Sequence, residues 1–242
     1  MRFKCECSYD GSSFKGFQVQ KNGNTIQSEI EKALKKITNE DIKIYASGRT
    51  DSGVHAMGQV FHFDTSCNIN ASGVKRALNS YLPSTIHINE VEEVDSDFHA
   101  RFSAIKKEYH YLINFGEYNP IRRDYEYQYP YKKIDRSLLE EASKLFIGTK
   151  DFRSFTKNQD LDNTVRTIYS IDFIWDKDLL TIKIVGNGFM QNMVRIMVAM
   201  WLEVARGRYT LEELNDIMEK KDRTFAPKTA PSCGLYLYKV YY

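Results

Sequence analysis

What most restricts the fold of this 242-residue chain is a succession of elements that occurs twice. Phe3, Cys5, Cys7 and Tyr9 alternate with Lys4, Glu6 and Ser8, the two-residue period of a half-buried strand. Ile26, Ile30, Ala33, Leu34 and Ile37 follow at helical spacing, with Asn24 as the expected N-cap and Gln27 completing a capping box. Residues 42–46 and 58–64 read as two strands around a turn. Val74, Ala77, Leu78, Tyr81 and Leu82 mark a second helix, stopped by Pro83, and residues 86–94 a further strand. The order is β-α-β-β-α-β.

The second half repeats it. Residues 109–115 form a connecting strand, and Tyr125, Tyr127, Tyr129 and Tyr131 alternate as another. A helix begins near Asp135, with Leu138, Ala142, Leu145 and Phe146 on one face and Gly148 closing it. Residues 167–175 and 179–186 predict two strands, residues 189–206 a helix ended by Gly207, and Thr210 with Glu213 a capping box. Residues 234–242 close as a strand. The pattern predicts an α+β fold of two tandem ferredoxin-like halves, residues 1–104 and 105–242. Joined edge to edge, they would give an extended, mostly antiparallel sheet with a central cleft. That architecture hosts many functions, so the function has to be argued from a site.

Composition excludes several classes. A net charge of +2, with 27% charged residues, is far from a non-specific DNA binder and from a disordered chain. No apolar run approaches the roughly 20 residues that a membrane span needs. The opening residues alternate and carry charge, unlike an export signal. Cys5, Cys7, Cys67 and Cys233 form no Cys-x-x-Cys pair, so reduced thiols in a cytoplasmic protein are expected, and no metal site.

Residues 47–55, Ser-Gly-Arg-Thr-Asp-Ser-Gly-Val-His, place one carboxylate, Asp51, between two glycines and two residues after Arg49. Glycines let the backbone turn sharply and let a bulky substrate approach, and an arginine favours the ionised acid. Asp, Ser and Gly are also ordinary turn residues, so spacing alone leaves a plain turn open. His55 and His62 stand too far from other ligands to suggest metal; packing or hydrogen bonding is the expected role.

Basic residues cluster mid-chain (Arg101, Lys106, Lys107, Arg122, Arg123, Lys132, Lys133, Arg136), then at Lys150, Arg153, Lys157 and Arg166, and again at Lys220, Lys221, Arg223 and Lys228. Cations beside tyrosine and phenylalanine rings suit structured RNA, although solvated faces balanced by acids give the same pattern. Residues 149–163 are the longest irregular stretch and a candidate substrate loop. Arg195 lies on the narrow polar stripe, with Arg206, of an otherwise apolar helix. Such an arginine seeks an anion, carboxylate or phosphate, unless it forms a plain surface pair.

Five segments, in order, resemble the TruA family of tRNA pseudouridine synthases. They are Tyr9-Asp-Gly…Gly16-Phe-Gln-Val-Gln20, Gly48-Arg-Thr-Asp-Ser-Gly-Val-His55 with Gly58-Gln-Val60, Phe98-His-Ala-Arg-Phe-Ser103 with Tyr109-His-Tyr111, Phe189 to Arg195, ending Asn-Met-Val-Arg, and Gly234-Leu-Tyr-Leu237. Phe17 stands where the family usually has tryptophan, and Ser52 where it has alanine. The resemblance implies the pseudouridine synthase fold and conversion of uridine to pseudouridine at positions 38, 39 and 40 of the tRNA anticodon stem-loop. It further implies a homodimer, no cofactor, Asp51 as nucleophile, Tyr109 stacking on the target base, Arg195 pairing with the catalytic carboxylate, and Arg49 positioning the acid or the flipped nucleotide. Attack at C1′, attack at C6 and abstraction of a 2′ proton remain alternatives. So do a synthase with shifted RNA targets, a non-catalytic RNA-binding protein and a glycosidase-like hydrolase; the last lacks an evident second acid.

Overall fold

Alternation along β1 (Arg2–Tyr9) does what its period dictates: Phe3, Cys5, Cys7 and Tyr9 are buried, and the residues between them are not. The structure, a computed structural model, describes residues 1–131 and 133–242. Lys132 of the central basic cluster lies outside the described residues. Ten strands and five helices are present among the described residues, an α+β fold.

The chain divides into two compact units. The first comprises residues 1–105 and 236–242. Its elements are β1, α1 (Ile26–Thr38), β2 (Tyr45–Ala46), β3 (His55–Asp64), α2 (Ala71–Tyr81) and β4 (Ile86–Val94), with most of β10 (Leu235–Tyr241). β1 lies between β4 and β3, antiparallel to both. On its other edge β3 takes β2 at Phe61 and His62, and β10, in parallel, at His55 and Ala56. Residues 236–242 thus group with the first unit, although they follow the second half in sequence. A single closing strand shows only alternation, not the edge on which it docks.

The second unit, residues 106–235, carries β5 (Lys106–Asn114), β6 (Tyr127–Gln128), α3 (Arg136–Lys144), β7 (Gly148–Asp151), β8 (Val165–Asp176), β9 (Leu179–Gly186), α4 (Met193–Ala205) and α5 (Leu211–Lys220). β9 lies between β5 and β8, and β7 pairs with β8, all antiparallel. Tyr109, Tyr111, Ile113, Leu180, Ile182 and Ile184 are buried, and Trp201 of α4 packs edge-on against Phe146 and Phe173.

Several boundaries differ from expectation for local reasons. The α1 capping box uses Thr25 and Ser28, not Asn24 and Gln27; Gln27 instead accepts from the Val19 N–H. The tyrosine run is strand only at Tyr127–Gln128, and the Tyr129 ring packs edge-on against those of Tyr127 and Tyr131. Gly148, at φ 96°, opens β7 instead of ending α3. α4 starts at Met193, since Asn192 has φ 61° and cannot continue a right-handed helix from Phe189. Tyr81 is 53% exposed under the Lys36 ammonium and is no core residue.

Candidate active site

Asp51 sits in the loop between β2 and β3, and this loop is braced at almost every residue. At its root the Gln59 amide is fully buried: Oε1 accepts from Ser47 Oγ at 2.8 Å, and Nε2 donates to the Gly48 carbonyl at 2.9 Å. The Ser47 N–H donates to Val60 O at 2.7 Å. At the far end the Val54 N–H donates to Asp51 O at 3.2 Å, closing a turn that Gly53 makes at φ 75°.

The segment after β1 forms the other wall. Tyr9 Oη and Thr50 Oγ1 lie 2.8 Å apart in a buried contact. Phe17 N–H donates to Thr50 O at 3.1 Å, and Ser52 Oγ donates to Phe14 O at 3.1 Å. A Cβ on Gly11 would collide with the Val54 carbonyl, and one on Gly16 would lie 2.8 Å from Thr50 O. The glycines of the first motif are therefore there so that two backbones can touch. His55 is 2% exposed: its Nδ1 accepts the Gly11 N–H at 3.2 Å, beside Asp10 Oδ1 at 3.3 Å, and its ring stacks on Tyr236. His62 is likewise buried. Its Nδ1 accepts the Ala100 N–H at 3.2 Å, and burial lowers its pKa to about 4, so it is neutral. Both histidines serve packing and hydrogen bonding, as expected.

Asp51 and Arg49 thus belong to the first unit; Tyr109 and Arg195 belong to the second. Tyr109 projects from β5, 8% exposed, with its ring edge-on to Phe189 at 5.0 Å. Arg195 is the half-buried exception in the first turns of α4, where Met193, Val194, Ile196, Met197 and Val198 are all buried. Its Nε donates to Ala230 O at 2.7 Å, and the Ala230 N–H donates back to Arg195 O at 3.2 Å. The Tyr111 hydroxyl donates to Pro231 O at 2.7 Å. Gly234 lies against Tyr111, where a Cβ would be 3.0 Å from the ring.

Many of the clustered cations are occupied locally. Arg122 pairs with Glu126, Arg123 with Asp124, and Arg206 with Glu203 while lying 3.4 Å over the Tyr131 ring. Arg223 donates to Ala226 O and Pro227 O. The 149–163 stretch is less irregular than expected. It begins as β7, and Arg153 then donates to Gln159 O and Leu161 O at 3.0 Å each, while the Lys157 N–H donates to Gln191 O.

Gln59, Thr50, Tyr111 and the Ala230–Pro231 carbonyls were not read as part of the site. One signal was available: Gln59 shares the inward face of β3 with Phe61 and Phe63, and an amide there needs buried partners. The Ala230 and Pro231 carbonyls are backbone and leave no mark in a sequence.

A protein-family model described as tRNA pseudouridine synthase matches residues 7–103 and 142–242. The chain belongs to that family. Among similar proteins, tRNA pseudouridine synthase A of Geobacillus sp. (strain WCH70) is 47% identical, covering 100% of this chain and 98% of that protein. The protein of the same name from Bacillus subtilis (strain 168) is 45% identical, covering 100% and 99%. Within the family the chain is therefore a member of the TruA group. A solved structure titled "Crystal Structure of a Cbf5-Nop10-Gar1 Complex" overlaps 83% of this chain and 45% of its own, at 12% identity and a TM-score of 0.40.

Proposed function

We propose that this protein isomerises uridine to pseudouridine in tRNA, at positions 38, 39 and 40 of the anticodon stem and loop, with Asp51 as the nucleophile. What carries the reading is one carboxylate on a loop held from both sides, in a chain that matches a tRNA pseudouridine synthase A at 47% identity over 98% of that protein. The reaction breaks the C1′–N1 bond, forms a C1′–C5 bond, releases the C5 proton and returns one to N1. No redox change or phosphoryl transfer occurs, so the chemistry needs a carboxylate that acts on the ribose or the base and then leaves, and no cofactor.

Bracing of the loop fixes where the Asp51 carboxylate is delivered, which is how positioning lowers a barrier. By the family resemblance, Arg195 is the cation that pairs with the catalytic carboxylate. Arg49 orients the acid or the extruded nucleotide. Taking a base out of its stack costs a few kcal/mol, and stacking on Tyr109 returns about 1–3 kcal/mol of that. The protein acts as a homodimer in the cytoplasm. No helix among the described residues is long and apolar enough to cross a membrane.

An unmodified tRNA transcript tritiated at uridine C5 tests the reading. Tritium release by the wild type and not by Asp51→Ala, mapped to positions 38–40, is the expected result. Equal release from both proteins removes Asp51 from the mechanism, and release mapped elsewhere removes the anticodon assignment.

A further inference from the structure

The stretch 226–234 has no regular element other than a short 3-10 turn at Ser232–Gly234, yet it is held at three places within the second unit. Arg223 donates to Ala226 O at 2.8 Å and to Pro227 O at 2.9 Å. Ala230 exchanges hydrogen bonds with Arg195 in both directions. Tyr111, fully buried in the middle of β5, donates its hydroxyl to Pro231 O at 2.7 Å, next to the carbonyl that receives Arg195 Nε. Gly234 allows the strap to lie directly on the Tyr111 ring.

From this chain of contacts we infer that Tyr111 is a positioning residue for Arg195. Its hydroxyl fixes the height of the Ala230–Pro231 carbonyls, and those carbonyls in turn hold the guanidinium through Nε. The inference rests on the reading that Arg195 assists the Asp51 carboxylate. Apolar packing alone would leave the strap free to slide along the ring, because burial is not directional. A short hydrogen bond is directional, and this one stays intact at working pH, since burial pushes the Tyr111 phenol well up. Nε is also the one guanidinium nitrogen fixed in line with the side chain. A bond there sets the direction of the guanidinium plane.

A double-mutant cycle on tRNA turnover tests this. Tyr111→Phe keeps the ring and removes only the hydroxyl; kcat should fall roughly tenfold, with the KM for tRNA within about twofold, as for a misaimed catalytic group. Arg195→Lys removes Nε. In that background Tyr111→Phe should cost at most about twofold more, because the contact it supports is already gone. Should the two losses multiply instead, Tyr111 acts independently of Arg195 and the inference is overturned. Arg223→Gln loosens the same strap from its other end without altering the core beneath. It should reproduce the kcat loss, and a folded Arg223→Gln protein with wild-type kcat also counts against the inference. Wild-type activity in Asp51→Ala, or an undiminished kcat in Arg195→Lys, would strike the underlying reading, a result distinct from any of these.

Discussion

The Tyr9 hydroxyl lies 2.8 Å from Thr50 Oγ1, out of solvent and one residue ahead of Asp51. Phe17 N–H holds the carbonyl of the same threonine, so the residue preceding the acid is fixed through both its side chain and its backbone. Tyr9→Phe leaves Thr50 Oγ1 buried without this partner. The expected cost is about 1–2 kcal/mol of stability, with a several-fold loss of kcat at unchanged KM. Urea unfolding and steady-state turnover check the two halves; an unaltered kcat would show that the hydroxyl pair serves the fold alone.

Gly11 is a more severe case. Its Cα faces the Val54 carbonyl so closely that any Cβ must displace backbone, and backbone of the loop that ends beside His55. Gly11→Ala should destabilise the first unit by about 3 kcal/mol or more and abolish turnover. Normal melting and normal turnover in the purified variant would contradict the close approach.

How much of this was legible in the sequence depends on whether the deciding contact was local. β1, α1, α2 and β4 follow period and stop signals confined to a dozen residues, and they fall where expected. Asp51 stood out because glycine, arginine and acid sit within five residues. The edge on which β10 docks, the end of the tyrosine strand and the Thr25 cap are settled by partners far away in the chain or by competition between adjacent capping residues. The braces of the site are of the same kind: Tyr9 to Thr50 spans 41 residues and Tyr111 to Pro231 spans 120, and single-sequence periodicity carries no trace of either.

Arg153 gives the 156–163 loop its shape by donating to Gln159 O and Leu161 O. Arg153→Ala removes both bonds while leaving the loop tied at Lys157 to Gln191. If the loop contacts tRNA, its ordering is then charged to binding, and KM should rise about three- to tenfold with kcat retained. Titration of tRNA under steady state separates the terms; a fall in kcat alone would assign the loop to the chemistry.

His62 makes stability depend on pH above the carboxylate range. Its folded pKa is about 4, against an ordinary value of 6.5, chiefly through burial, with a further contribution from His99. Between those values the unfolded chain binds more protons, so the full contribution is present above pH 6.5 and is lost progressively as pH falls toward 4. The upper bound is roughly 3 kcal/mol. Asp64, held low by Arg2, loses its contribution only at lower pH, below its ordinary 3.8. His62→Asn keeps an acceptor for the Ala100 N–H and removes the titration. The urea midpoint of the variant should therefore slope less from pH 6.5 to 5 than that of the wild type, the remainder coming from His110, whose pKa burial also lowers.

Ser52 stands next to the acid and donates to Phe14 O at 3.1 Å, yet it is exposed, so water competes for both partners. A neutral hydrogen bond in that setting contributes about 0.5–1 kcal/mol at most. The neighbouring turn is held independently by Gly53, by the Asp51–Val54 bond and by Phe17 on Thr50. Ser52→Ala should accordingly lower stability by less than about 1 kcal/mol and leave kcat within about twofold. A tenfold loss of kcat with unchanged stability would instead mean that this hydroxyl reaches the substrate, and that the loop presents two working side chains in place of one.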